Sequence, residues 1–216
     1  MKKIHKIIFA GTGIMTLGLL YLFSFHSYHG ESFVDASSSS STDNLPINTD
    51  ANQNGISNKE EISNEASQLV GTLYDPLKGG IYNVGGKLGF IVCIDVPRIA
   101  YGHAGISLAD LLEQDYQRSP EHYDAEGGIN TPETPFFFRR VRNVYDFAKG
   151  NDLLIEEVET PEVGDIVFYG QYHATLVTAV HEDGTYNEVE AHPKLIVVKE
   201  HKNKKWIPRD VARILD

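Results

Sequence analysis

The periodicity of the chain changes at Leu153, and that change constrains the fold most. After it come LLIEEV, DIVFY, ATLVTAV, TYNEVEAH and LIVVKE, runs rich in β-formers and separated by PEVG, EDGT and PK. These read as strands, and Glu182 to Thr185 reads as a hairpin turn. Before Leu153 the spacing is helical. Ile62, Ala66, Leu69, Val70 and Leu73 predict an amphipathic helix ended by Pro76 and Gly79–Gly80. Ile94 to Leu112 predicts two short helices around a turn at Gly102–Gly105. A polar loop over 117–135 and a helix over Phe136 to Lys149, with its FFF run in the core, complete the first half. Helices followed by antiparallel strands predict an α+β domain with its sheet built from the C-terminal half.

The domain is expected over residues 60–216, with two appendages ahead of it. MKKIHK is basic, and Ile7 to Phe25 is uncharged, apolar and long enough to cross a bilayer. Basic residues before the run and none directly after it predict a single-pass anchor with the C-terminal domain outside. Cleavage near Val34–Ala36 would instead give a secreted protein. Residues 26–59 are Ser, Asn, Asp, Thr and Gly with few aliphatics, and predict a disordered linker. The formal net charge is −11, and no concentrated basic face follows residue 6 apart from KNKK at 202–205, which argues against a nucleic-acid partner.

One cysteine, Cys93, permits no internal disulfide. An unpaired thiol exported to an oxidising place is a liability unless it is used. Cys93 opens a predicted helix, His173 opens a predicted core strand, and His192 ends the next strand. The hairpin at 182–185 would bring the two histidines to the same end of the sheet. A free thiol with a pKa of about 8.5 is mostly protonated at neutral pH, whereas a helix N-terminus and a partner imidazolium favour the thiolate. The expected arrangement is therefore Cys93 as nucleophile, His173 as base and His192 as the group that orients His173, with Glu190 in reserve. Asp95 is expected to cap the helix after Cys93, and Asp165 to close a turn. His103, His122, His181 and His201 lie in polar stretches and are expected at the surface. Their spacing offers no metal site, and no cofactor is expected. Pro97 would clash with the Cys93 carbonyl in a regular helix, so the helix must start late or open loosely.

A cysteine before a helix, then P-x-x-G-D-I-V-F-Y with a histidine opening the next strand, then a polar residue on the strand after, resembles the NlpC/P60 cysteine peptidase superfamily. The similarity runs from about Tyr74 to His192. It is closest to an uncharacterised bacterial family within that superfamily, through CIDVPRIAYGHAG from Cys93, LADLLEQD from Leu108 and RRVRN from Arg139. The resemblance implies a papain-like fold and amide hydrolysis in bacterial cell-wall stem peptides by a monomer. It also places Arg139 and Arg140 near the cleft, where they would bind a substrate carboxylate. Tyr82 and Asp95 are further candidates to line that cleft. The same thiol could serve an acyltransferase or thioesterase, and an inactive cell-wall binding module is the third reading.

Overall fold

The structure, a computed structural model, describes residues 49–76, 90–123 and 129–215. These lie within one compact unit, Leu45–Asp216. The apolar run at 7–25 and most of the expected linker lie outside the described residues, as does Tyr82. Among the described residues no helix is long and apolar enough to cross a membrane.

The fold is α+β, with four α-helices and an antiparallel sheet. Helix α1 (Asn58–Gln68) begins at Ser57, whose side chain accepts from Glu60 N. It buries Ile62 and Ala66, and it ends earlier than the sequence pattern suggested. Gly71, at φ +93°, turns the chain before Pro76 is reached. Residues 49–57, expected within the linker, instead form a hydrogen-bonded turn system against α1. Asn58 N donates to Thr49 O, and Ala51 N donates to Asn58 Oδ1. Strands β1 (Leu73–Tyr74) and β2 (Phe90–Ile91) then pair in parallel. Helices α2 (Asp95–His103) and α3 (Leu108–Arg118) follow around the expected turn, with Ser107 capping α3.

The helix expected over 136–149 is broken. Phe137–Arg139 form a 3₁₀ turn, Arg140 is extended, and only Val141–Gly150 make helix α4. Of the FFF run, Phe137 is buried but Phe136 is half exposed and holds φ +66°. Phe136 therefore departs from the expected core position.

The sheet holds six strands in the order β3-β8-β4-β5-β6-β7, every neighbour antiparallel. They are β3 (Leu154–Val158), β4 (Ile166–Phe168), β5 (Ala174–Val180), β6 (Thr185–Glu190), β7 (Lys199–Lys205) and β8 (Arg209–Ala212). The predicted hairpin joins β5 to β6, with His181 N donating to Thr185 O at 2.8 Å. Two features were not anticipated. The last strand, β8, inserts between β3 and β4. The β7 strand is KEHKNKK rather than the apolar LIVVKE, which suits an edge, where lysines discourage further strand pairing.

Alternation along the strands divides the core. Ile166, Phe168, Ala174, Leu176 and Val189 pack with the helices, whereas Val167, Val177, Tyr186 and Val211 pack on the other side with Trp206. Asp165, 1% exposed, closes its turn by accepting from Glu162 N at 2.7 Å, as expected. It also takes Arg213 Nε and Nη2 at 2.9 and 2.7 Å, which ties the start of β4 to the end of β8. Asp165→Ala removes the buried partner of Arg213 and is expected to cost about 3 kcal/mol in urea-melt stability; a loss under about 0.5 kcal/mol would show that the pair does not hold the sheet.

Candidate active site

Strand β2 runs into a tight turn at Val92–Ile94, and Cys93 sits in it, half-buried. Asp95 N donates to Val92 O at 2.9 Å and Val96 N to Cys93 O at 3.3 Å. These are three-residue steps, the loosened opening that Pro97 demands, and the helix proper starts at Asp95. Asp95 does not cap α2, whose N-cap, Ile94, makes no side-chain bond. Its carboxylate turns back instead and accepts from Val92 N at 2.9 Å. It also binds Arg98 Nε at 3.0 Å and Arg139 Nε at 2.9 and 3.1 Å, with a further close contact from Arg139 Nη2.

Asp95, 1% exposed, thus pins the cysteine turn to the 3₁₀ segment 44 residues later. Burial alone would raise its pKa, but the hydrogen bond from Arg139, the charge of Arg98 and the Val92 N–H hold it below the usual carboxylate range. Asp75 adds a second carboxylate 3.8 Å from Arg139. The arrangement engages Asp95 with arginines rather than presenting it to a ligand. Arg140 is likewise engaged, donating to Asn130 Oδ1 at 2.8 Å and Pro135 O at 3.1 Å, where it braces the loop before the 3₁₀ turn.

His173 ends the turn between β4 and β5, and its carbonyl accepts from Tyr169 N at 2.9 Å. Its ring meets three partners. The Cys93 thiol is near enough to raise the His173 pKa. Glu190 Oε2 lies 2.7 Å from Nε2. The His192 ring stands edge-on, with centroids 5.1 Å apart and planes at 86°. The two histidines therefore meet at one end of the sheet as the hairpin predicted, but His192 does not orient His173. Its Nδ1 accepts from Lys194 N at 3.1 Å, and the carboxylate that bonds His173 is Glu190, the reserve candidate.

Glu190 carries a second imidazole. His201 Nε2 lies 2.7 Å from Oε1, at ion-pair distance but out of line for a hydrogen bond. His201 is thus not the free surface residue its polar surroundings suggested. Nor is His122, whose Nδ1 is 3.0 Å from Asp115 Oδ2. Tyr74, on β1, was also missed. Burial raises its pKa most, and the Cys93 charge adds to the effect, so the phenol feels the field of the sulfur. The pairing of β1 with β2 was the signal that could have found it.

A cavity of about 470 Å³ is lined by the Asp95–Arg139 pair, with Phe90, Arg98, Phe136 and Phe138 among its other walls. Neither Cys93 nor His173 lines it. Among the described residues, no group of three or more His, Cys, Asp or Glu side chains is arranged to hold a metal ion.

A family described as a domain of unknown function, DUF1287, matches residues 83–203, more than half of the 216-residue chain. The chain belongs to the DUF1287 family. No curated protein and no solved structure matches it. The DUF1287 region contains Cys93, Asp95, Arg139, His173, Glu190, His192 and His201, so the whole cluster belongs to the family's domain.

Burial by itself would lower the His173 pKa. Hydrogen bonds to Cys93 and Glu190, and the charges on both, reverse this and raise it from 6.5 to about 9. Glu190 is held low by its bond to His173 against the opposing effect of burial. The sign for stability follows from a folded value above the unfolded one. The imidazolium's contribution is complete below pH 6.5 and is lost as pH rises through about 9. Ring ¹⁵N chemical shifts of His173 are expected to titrate near pH 9, and Glu190→Gln to move the midpoint toward 6.5. A wild-type midpoint at 6.5 or below would contradict the pairing.

Proposed function

We propose that this DUF1287 domain is an extracytoplasmic thiol hydrolase of papain-like, NlpC/P60 type that cleaves an amide bond in cell-wall stem peptides. The observation that carries the reading is the line Cys93–His173–Glu190, in which a lone thiol, an imidazole and a carboxylate meet in order. The substrate class and the papain-like fold rest on the resemblance of the Cys93, PEVGDIVFY and His173 segments to that superfamily. The outside location rests on the basic, then apolar, amino terminus, which would anchor the chain through residues 7–25.

Protonated His173 stabilises a thiolate on Cys93. The sulfur attacks the scissile carbonyl, forming a C–S bond while the carbonyl electron pair moves to oxygen. The tetrahedral intermediate then collapses, and His173 gives its proton to the departing amine as the C–N bond breaks. A thioester remains on Cys93. Water, deprotonated by His173, attacks it and releases the free acid and the thiol. Glu190 keeps the His173 ring turned toward the sulfur through both half-reactions and balances its charge. Asp95 and Arg139 hold the cysteine turn in place and do not touch the reacting atoms.

Incubation of the full chain with purified peptidoglycan, followed by mass analysis, is expected to yield new peptide fragments that Cys93→Ala does not make. Equal fragmentation by both proteins would overturn the reading. Products carrying an added amine or alcohol instead of a free acid would make the same thiol site a transferase. Within an active enzyme, Glu190→Gln is expected to lower kcat/KM by about 10²-fold or more, and His192→Phe, which keeps the edge-on ring contact, by less than about tenfold. The reverse order would return the orienting role to His192.

A further inference from the structure

Residues 50–61 read DANQNGISNKEE. Asp50, Asn52, Asn54, Gly55 and Glu61 stand in the register D-x-N-x-N-G-x₅-E, the spacing of a twelve-residue calcium loop leading into a helix. The fold delivers that geometry. Asp50 Oδ2 accepts from Gly55 N at 2.8 Å and Oδ1 from Asn54 N at 3.1 Å, which curls the loop around the first carboxylate. Gly55 makes the sharp turn at φ +87°. The amides of Asn52 and Asn54 both converge on Glu61, at 3.0 Å to each oxygen and 2.7 Å to Oε1.

A separate observation concerns charge. Glu61 is 5% exposed, and its carboxylate faces the inside of the loop. Among the described residues, no lysine, arginine or histidine pairs with it; the nearest lysine in sequence, Lys59, is bound to Glu162 instead. A buried carboxylate with only amide donors around it is poorly compensated, and a cation at the centre of the loop is the compensation that the surroundings lack. A half-turn of each asparagine amide would exchange its NH₂ for a carbonyl oxygen without moving the backbone. Asp50, Asn52, Asn54, the Ile56 carbonyl and both oxygens of Glu61 would then form an all-oxygen shell, the preference of calcium.

We propose that residues 50–61 bind one calcium ion. The site stands outside the matched DUF1287 region, 83–203, and does not depend on the hydrolase reading. Two carboxylates give a modest ligand charge, so the affinity is on the order of 10⁻⁴–10⁻³ M, as in extracellular calcium modules. The ion would brace one edge of the domain. In the ion-free loop Asn52 Nδ2 donates to His103 O at 3.3 Å at the end of α2, a bond that the half-turn would give up. A Cβ at Gly105 would come within 3.1 Å of the Asn52 side chain. On α1, Ser63 Oγ donates to Thr178 O on β5, the strand that His173 opens.

Calorimetric titration and thermal melts of the full chain in detergent, with calcium chloride as the probe, test this. One ion per chain is expected, with Tm raised by about 2–6 °C at several millimolar calcium. Glu61→Gln and Asp50→Asn are each expected to weaken binding by more than about tenfold. If Glu61→Gln fails to fold, Asp50→Asn decides alone. No calcium-dependent heat or shift, wild-type affinity in Asp50→Asn, or an equal response to magnesium chloride would each overturn the assignment.

Discussion

The pairing of β5 with β6 is the constraint on which the site depends. Leu176 lies opposite Val189, and the same register carried to the strand ends sets His173 against His192, with Glu190 in reach of the His173 ring. A slip of one residue would turn Glu190 to the other face of the sheet and remove the carboxylate from the imidazole. Two things resist that slip. The EDGT turn fixes the loop length, and Leu176, Val177 and Val189 are fully buried on alternating faces. Beside them, Glu188 takes hydrogen bonds from Tyr169, Thr175 and Tyr186 and an ion pair from Lys204, so the sheet's second face is held by a buried polar network as well as by apolar packing.

The sulfur reaches that imidazole by a different route. The cysteine turn has few bonds of its own, because Pro97 forbids a regular first helical turn. Asp95 supplies the missing fixation. One buried carboxylate holds the backbone N–H of Val92 and the guanidiniums of Arg98 and Arg139, so the turn is tied both to its own helix and to the segment after the long loop. The two halves of the chain, helical and β, thus each provide one partner of the Cys93–His173 interaction that raises the imidazole pKa.

Much of this was legible in the residues. The α+β class followed from the change of period at Leu153, and the meeting of His173 with His192 followed from the hairpin. The choice of Glu190 over His192 was not legible, because both fall within two residues of one strand end and only side-chain direction separates them. The edge strand was misread because its residues are lysines, chosen against pairing and not for β propensity. The late strand β8 was missed because DVARI is short and its partners lie far upstream. The segment before Asn58 was read by composition, as a polar linker, although the spacing of Asp50, Asn52, Asn54, Gly55 and Glu61 carried the information.

The proposed chemistry requires that His173 hold positive charge against the Cys93 sulfur. The rate of Cys93 alkylation by iodoacetamide at about pH 6 measures this directly, since only the thiolate reacts. A rate well above that of cysteine in a short unstructured peptide is expected, with the excess abolished in His173→Ala. Equal rates for the wild-type protein, the His173→Ala variant and the peptide would contradict it.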